Sequence, residues 1–453
     1  MLAEELASLF SGALGASDRV GLAVSGGSDS TALMVLFADW LGDCGRGTLP
    51  FTPTVLTVDH RLRPQSAREA QAVARRAQEL GFRHATLVWE EEKPASGLQA
   101  AARGARYRLL ADYAGRHGIT SLLTGHTADD QAETLLMRLA RGSGLDGLAA
   151  MAPSSTHFIQ RVALQAVSAS TAFPGAAAAS LRLVRPLLGL SRARLRATLD
   201  QRGIAWFEDP SNQSPAFERT RLRACLGALQ ALGLTPEKLA LSARRLQRAR
   251  AALERSIDEF CDPLRHTLTT DPRGFIRIDR DALRRAPLEI AIRVLGRAVA
   301  AAGGAGAPVP LAKLEALAEA IGACACGHWT LARAKITAKR GEILIEREPG
   351  RIPPPRLRLP GGAQALWDGR FLVSAGSDLI GDIEVRALGD EGLREATKAL
   401  AIAPDAPRGA LRGLPAFWRK GRLIAVPNLG YWAPGEPCRS LSAIFAPTCS
   451  CKA

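Results

Sequence analysis

Short apolar runs alternate with longer stretches of helical periodicity along the first part of the chain. Val20 to Val24 is apolar and ends in a Gly-rich turn, and an apolar helical pattern follows from Thr31 to Leu41. The unit then recurs. Thr54 to Val58 predicts a strand, Ser66 to Leu80 a helix, Ala85 to Trp89 a strand and Leu98 to His117 a helix. Ser121 to Thr124 predicts another strand, with a helix from about Ala128 to Arg141. Strands alternating with helices in this way predict an α/β domain built on a parallel sheet covered on both faces.

The pattern dissolves between Met151 and Leu181 into an Ala/Ser-rich stretch, which reads as a loop or insertion near residues 165–181. A boundary is expected after about Ser214. From Arg221 the chain turns helical, and Thr235 and Pro236 mark the start of a long amphipathic helix. Alternation on either side of Lys339-Arg340-Gly341 predicts a β-hairpin, and the Pro-rich stretch after it a semi-rigid linker. Three further segments, RFLVSAG, IEVRALG and FWRKGRLIAVPNLGYW, predict strands. The expected organisation is an α/β parallel-sheet domain over 1–215, a mainly helical domain over 216–348, a linker over 349–361 and a small C-terminal domain with strands over 362–453.

A length of 453 residues supports several cores, and 47% hydrophobic with 23% charged residues is ordinary for a folded globular chain. The 59 Lys and Arg exceed the 44 Asp and Glu by 15, which favours a polyanionic partner such as nucleic acid. The arginine preference of a GC-rich genome gives the same excess. The first residues, MLAEELASLFSGALG, lack the basic start of a signal peptide, and no apolar run approaches the ~18 residues of a membrane helix. A cytoplasmic protein with no membrane partner is expected. The eight cysteines form two C-x-C pairs, Cys324/Cys326 and Cys449/Cys451, and four singletons. Reduced structural thiols are expected, without zinc or an iron–sulfur cluster, because zinc ligands usually stand two to four residues apart with partners.

Two constellations carry chemistry. Ser25-Gly26-Gly27-Ser28-Asp29-Ser30 follows the first strand and opens a helix, so backbone N–H groups and hydroxyls converge where the helix dipole is positive. Gly-Lys-Ser/Thr is missing, which excludes a Walker A loop, and no G-x-G-x-x-G follows the strand. A pyrophosphate suits such a cradle; a capped helix after a tight turn is the plainer alternative. The second constellation is Gly125-His126-Thr127-Ala128-Asp129-Asp130, continuing through Glu133. Its acids share a helix face, where like charges repel, so a cation is expected there, either Mg2+ or a substrate ammonium. Acids that merely complement the helix dipole are the alternative.

The S-G-G-x-D-S segment after a first strand resembles the PP-loop of the ATP pyrophosphatases, the adenine nucleotide α-hydrolase-like fold. Val58-Asp59-His60, Ala102-Arg103-Gly104-Ala105-Arg106-Tyr107, the acidic helix and Arg185-Pro186-Leu187 extend the likeness. Glu208-Asp209-Pro210-Ser211-Asn212 and Arg219-Thr220-Arg221-Leu222-Arg223 complete it. Together they resemble the tRNA(Ile)-lysidine synthetase family across the first half of the chain. Thr220 departs from the family, which often has Asn there. Gly413 to Trp418 and Pro427 to Gly430 resemble its C-terminal segment more loosely, and Trp418 reads as sandwich core rather than a base-stacking platform.

The resemblance implies ATP and Mg2+ as cofactors, and free L-lysine and an isoleucine tRNA with a CAU anticodon as partners; a homodimer is left open. It implies that ATP is held by Ser25, Gly26, Gly27, Ser28, Asp29 and Ser30, with Asp59, His60, Gly125 and His126 bordering the nucleotide. Asp29 and Asp130 would hold the metal, and Asp29, Asp130, Glu133, Arg219 and Arg223 would carry the chemistry. Asp59 and His60 could equally cap a loop, and His126 a helix. Arg103, Arg106 and Arg108 could face tRNA, nucleotide or solvent. The run from Arg182 to Arg202 and the helix bearing Arg244, Arg245, Arg248 and Arg250 are candidates for the tRNA backbone. A tRNA thiolase would need cysteines that the acidic stretch lacks, and an amidotransferase a glutaminase domain that neither terminus supplies. A tRNA-binding module without chemistry fits poorly with Asp29, Asp130 and Glu133.

Overall fold

The computed structural model describes residues 3–15, 17–43, 52–94, 96–158, 180–208, 218–304, 308–350, 353–379, 381, 383–400, 405–435 and 440–447. The chain divides into two compact units, 1–250 and 251–452. The finer division at 215, 348 and 361 stays a proposal. The Ala-rich stretch lies largely outside the described residues, as do Asp209 to Asn212, Cys44, Cys438, Cys449 and Cys451. Among the described residues, no helix is long and apolar enough to cross a membrane.

In the first unit the elements run α1 (Ala3–Phe10), β1 (Val20–Ala23), α2 (Ser28–Asp43), β2 (Thr54–Asp59), α3 (Ser66–Glu79), β3 (Arg83–Val88) and α4 (Leu98–His117). They continue with β4 (Ser121–Thr124), α5 (Ala128–Leu139), α6 (Leu145–Leu148), β5 (Ser154–Phe158), β6 (Ser180–Val184), α7 (Arg192–Asp200), α8 (Glu218–Ala231) and α9 (Pro236–Phe260). The sheet order is β3-β2-β1-β4-β6-β5. All neighbours pair in parallel except β5, which runs antiparallel to β6.

Central strands β1 and β4 are buried along their whole length, which is why VGLA and SLLT contain no charge. Alternate residues feed opposite layers. Leu22 and Leu123 join Phe10 of α1, Leu33 and Phe37 of α2, Val73 of α3 and Leu195 of α7. Ala23 and Leu122 face Leu110 and Ala114 of α4 on the other side. Phe37 meets Phe10 edge-on at 5.2 Å and Trp40 at 5.4 Å, so truncating it to Ala would cost about 3–5 kcal/mol. Helix α2 begins at Ser28, inside the segment expected to be loop, because Asp29 in its first turn complements the helix dipole. Strand β5 falls in the stretch expected to be loop: SSTHF is a polar edge strand with no apolar period to betray it.

The second unit takes in the end of α9, whose Ile257 is fully buried with Val294, Leu295 and Ile336. It adds β7 (Leu268–Thr270), β8 (Ile276–Asp279), α10 (Arg280–Arg285), α11 (Leu288–Gly303), α12 (Leu311–Ala323), β9 (Gly327–Leu331), β10 (Ala334–Ala338) and β11 (Glu342–Arg347). The expected hairpin is β10–β11, and it forms the middle of a five-stranded antiparallel sheet ordered β7-β8-β11-β10-β9. After it come β12 (Leu357–Leu359), β13 (Gln364–Trp367), β14 (Phe371–Ala375), β15 (Ile383–Ala387), α13 (Gly389–Leu400) and α14 (Arg408–Arg412). Last are β16 (Pro415–Arg419), β17 (Arg422–Val426), β18 (Tyr431–Trp432) and β19 (Leu441–Phe445). They form the sheets β12-β15-β16-β17-β18 and β13-β14-β19, and Trp418 is buried in the core these sheets share, under the Arg386 guanidinium.

A buried ionic hub joins the β7–β11 layer to this C-terminal part. The fully buried Asp368 carboxylate accepts Nε of Arg347 and of Arg370, each at 3.0 Å, and pairs with Arg333. Arg333 also reaches the carbonyl of Gly304 at the end of α11, and Arg370 that of Gly413. Burial leaves the Arg370 pKa lowered to about 10 although Asp368 opposes the shift.

Candidate active site

Sheet order places a topological switch point between β1 and β4, where successive connections leave in opposite directions. Open parallel sheets bind ligands in the crevice at such a point, outside the carboxyl ends of the strands. The loops that meet there are Ser25–Gly27 after β1 and Gly125–Thr127 after β4.

Two glycines allow the meeting. Gly26 has φ +88°, and a Cβ there would stand 3.0 Å from the Phe207 ring and 3.2 Å from Val73. A Cβ on Gly125 would stand 2.8 Å from the carbonyl oxygen of Asp29, so the loop after β4 touches the first turn of α2 backbone to backbone. Within the first loop, Ser30 Oγ donates to the Gly27 carbonyl at 3.0 Å, and Ser25 N donates to Ser30 Oγ at 3.2 Å. Phe207 N closes on the Gly26 carbonyl at 2.9 Å. Beneath Gly26 opens a cavity of about 200 Å³ lined by Met34, Val73, Trp206 and Phe207, with Arg76 at its edge.

Helix α5 starts with a capping box. Thr127 Oγ1 accepts from Asp130 N, and Asp130 Oδ2 accepts from Thr127 N at 2.9 Å. That leaves Asp130 Oδ1 facing the phosphate loop, where Arg192 stands between two carboxylates. Its Nε donates to Asp29 Oδ2 at 2.9 Å and its Nη2 reaches Asp130 Oδ1 at 3.5 Å. Its backbone N donates to Asp129 Oδ2 at 2.7 Å. Burial works against the Arg192 charge, but Asp29 and then Asp130 outweigh it and hold its pKa above the ordinary arginine value.

Glu133 is fully buried and faces α8. Arg223 grips it with two bonds, Nε to Oε1 at 2.6 Å and Nη2 to Oε2 at 3.2 Å, and Arg219 lies 4.0 Å away. The face expected to gather acids around one cation therefore splits: Asp129 and Asp130 turn to α7, and Glu133 to α8.

His126 donates to or accepts from Thr124 Oγ1 through Nδ1 at 2.8 Å. Burial lowers its pKa to about 4; Asp130 opposes the shift, and Arg185, Arg106 and Arg103 add to it. Among the described residues, no carboxylate pairs with Arg103, Arg106 or Arg185. His126 thus lies neutral among the charges of Arg103, Arg106 and Arg185. Asp59 Oδ1 accepts from Arg61 N at 2.8 Å, capping the loop after β2. His60 meets Trp89 edge-on at 5.8 Å with its Nδ1 buried and unpartnered, and burial lowers its pKa.

Other arginines take internal roles. Arg182 pairs with Asp18, Arg194 with Glu5, Arg196 with Glu208 and Arg202 with Asp39, while Arg185 donates to the Ala152 carbonyl. Within the Arg182–Arg202 run these pairs tie the first unit together, while Arg182, Arg194 and Arg196 stay about a third to a half exposed. Arg108 pairs with Glu91 and Arg250 with Asp146. Arg244, Arg245 and Arg248 are exposed. Arg192 went unnoticed as a site residue because its partner Asp29 lies 163 residues away and nothing in S-R-A-R-L-R sets it apart.

This is the architecture of a nucleotide-handling PP-loop domain, and residues 2–229 match the family described as a PP-loop domain. The chain is 47% identical over 305 residues to a tRNA(Ile)-lysidine synthase of Bradyrhizobium sp., covering 66% of this chain and 78% of that one. With the enzyme of the same name from Ruegeria pomeroyi it shares 38% identity, over 91% of this chain and 89% of the relative. The counterpart from Rhodopseudomonas palustris is 44% identical over 72% of this chain and 86% of its own length. The chain belongs to the tRNA(Ile)-lysidine synthase family.

Proposed function

We propose that this protein ligates free L-lysine to C2 of the wobble cytidine in the CAU anticodon of an isoleucine tRNA, converting its codon and amino-acid specificity from Met to Ile. The observation that carries the reading is the bridge from Asp29 of the phosphate loop through Arg192 to Asp130 of the acidic helix. It brings the groups suited to ATP and those suited to a cation into one crevice.

In the first step the cytidine O2 attacks the α-phosphorus of ATP; a P–O bond to the cytidine forms, and PPi leaves. In the second the neutral ε-amine of lysine attacks C2. A C–N bond forms, the C–O bond breaks, AMP departs with the oxygen, and the amine gives up a proton. Ser25 to Ser30 would hold the β- and γ-phosphates with hydroxyls and N–H groups, and Gly26 and Gly27 keep side chains out of the way. Asp59, His60, Gly125 and His126 would border the nucleotide. The cationic charge of Arg103, Arg106 and Arg185 around neutral His126 suits a phosphate of nucleotide or tRNA.

Asp29 and Asp130 present hard oxygens that already share one cationic group, a donor set that fits Mg2+. There Mg2+ would neutralise phosphate charge. Asp130 would offer Oδ1, the oxygen not taken by the Thr127 cap, to the metal or to the lysine ammonium. Glu133 would act through Arg223, fixing the guanidinium that, with Arg219, stabilises charge on the α-phosphate.

The test is mass spectrometry of the anticodon nucleosides of isoleucine tRNA after incubation with enzyme, ATP and lysine. The expected product is lysidine, with AMP release dependent on both tRNA and lysine. AMP release independent of lysine, or an unmodified cytidine, would overturn the reading.

A further inference from the structure

The Arg192 guanidinium stands between the two carboxylates that the proposed function gives to Mg2+, at 2.9 Å from Asp29 Oδ2 and 3.5 Å from Asp130 Oδ1. Its main chain is held independently of that contact. Asp129 accepts from Arg192 N at 2.7 Å, and Ala128 N donates to the Leu190 carbonyl at 2.8 Å, so the start of α7 is tied to the start of α5. The side chain is 22% exposed and open to the crevice. A main chain held by other bonds and a long, partly exposed side chain allow the guanidinium to leave without moving a helix.

We propose that Arg192 is an internal counter-cation of Asp29 and Asp130, which holds the two carboxylates in register and gives them up to Mg2+ when MgATP binds. Two carboxylates in the first turns of separate helices repel when no cation lies between them, and the guanidinium fork satisfies one oxygen of each. A divalent ion and a guanidinium compete for the same oxygens, so Arg192 sets the threshold for metal binding. Once displaced it lies within a side chain's length of the phosphate loop, where its planar fork suits phosphate oxygens. Arg192 is thus a positioning residue for the metal and an anion ligand for the nucleotide.

The inference rests on the assignment of Asp29 and Asp130 to the metal, and the test separates the two. Mn2+ is titrated into the full-length protein and followed by the loss of free-ion electron spin resonance, first without nucleotide and then with a non-hydrolysable ATP analogue. Arg192→Gln is expected to tighten Mn2+ without nucleotide by roughly three- to tenfold, because the internal competitor is gone. With the metal saturating, it is expected to weaken the analogue by about tenfold. A merely structural role predicts the opposite sign for the metal, since a loosened site binds it less well. Arg192→Lys, which keeps the charge without the fork, is expected to fall between and decides the matter if the glutamine variant does not fold. Unchanged or weaker Mn2+ binding in a folded variant overturns the proposal. Asp29→Asn with unaltered Mn2+ affinity would instead locate the failure in the metal assignment, and lysidine formation is scored separately.

Discussion

One methyl group at Gly125 tests whether the contact of the two loops matters. Gly125→Ala would place a Cβ 2.8 Å from the Asp29 carbonyl oxygen, 2.9 Å from its carbonyl carbon and 3.0 Å from Ser30 Cα. Those atoms are backbone and cannot rotate away. An ordinary contact needs about 3.5 Å, so the loops must part by about 0.7 Å. The Arg192–Asp130 contact is already 3.5 Å long, and such a shift breaks it. Overpacking of this kind costs about 1–3 kcal/mol in stability, and a misplacement approaching 1 Å at reacting groups costs up to about a hundredfold in rate. Urea denaturation and kcat/KM for AMP release are the assays. Gly27→Ala is the control: its Cβ would meet nothing nearer than 3.8 Å, so the fold survives and ATP affinity alone suffers. If Gly125→Ala kept wild-type stability and kcat/KM within twofold, close approach of the loops would not be what aligns the site.

Three other outcomes follow from named contacts. Arg223→Ala leaves the fully buried Glu133 without its two-bond partner and should destabilise the protein by about 3–5 kcal/mol in urea, with Glu133→Gln in the same chain restoring part of the loss. His126 has its pKa lowered from 6.5 to about 4, so below pH 6.5 the unfolded chain takes up a proton that the folded chain refuses. Stability should therefore fall as pH drops from 6.5 toward 4, and thermal melts of His126→Gln should show a shallower fall across that window. Arg244, Arg245 and Arg248 lie exposed on α9, and each change to Ala should reduce the salt dependence of tRNA binding by ~0.7 to 0.9 in the log–log slope. An unaltered slope would remove α9 from the tRNA surface.

The α/β half of the fold is legible in the sequence because its central strands β1 and β4 are buried on both faces and its helices on one, so period and punctuation agree. Helix α4 and strand β4 fall on their expected residues for that reason. β5 escapes because an exposed edge strand needs no apolar pattern, and the partners of β10–β11 escape because sheet order is a matter of long-range pairing. The phosphate loop and the acidic helix are visible as local motifs. What they hold is not: the acids meet Arg192 and Arg223, from helices 62 and 90 residues further along the chain, and no local pattern encodes such a pairing. The ion pairs of the arginine run are hidden for the same reason, since its acids Asp18, Glu5 and Asp39 lie far upstream.

The hub at Asp368 is lopsided, one acid against three bases, and its members should drift unequally as the sequence diverges. Losing any single arginine still leaves the acid two partners. Losing the acid takes from Arg347 and Arg370, both almost fully buried, the carboxylate they share. Random substitution should thus be tolerated at Arg333, which is 27% exposed, before it is tolerated at Asp368.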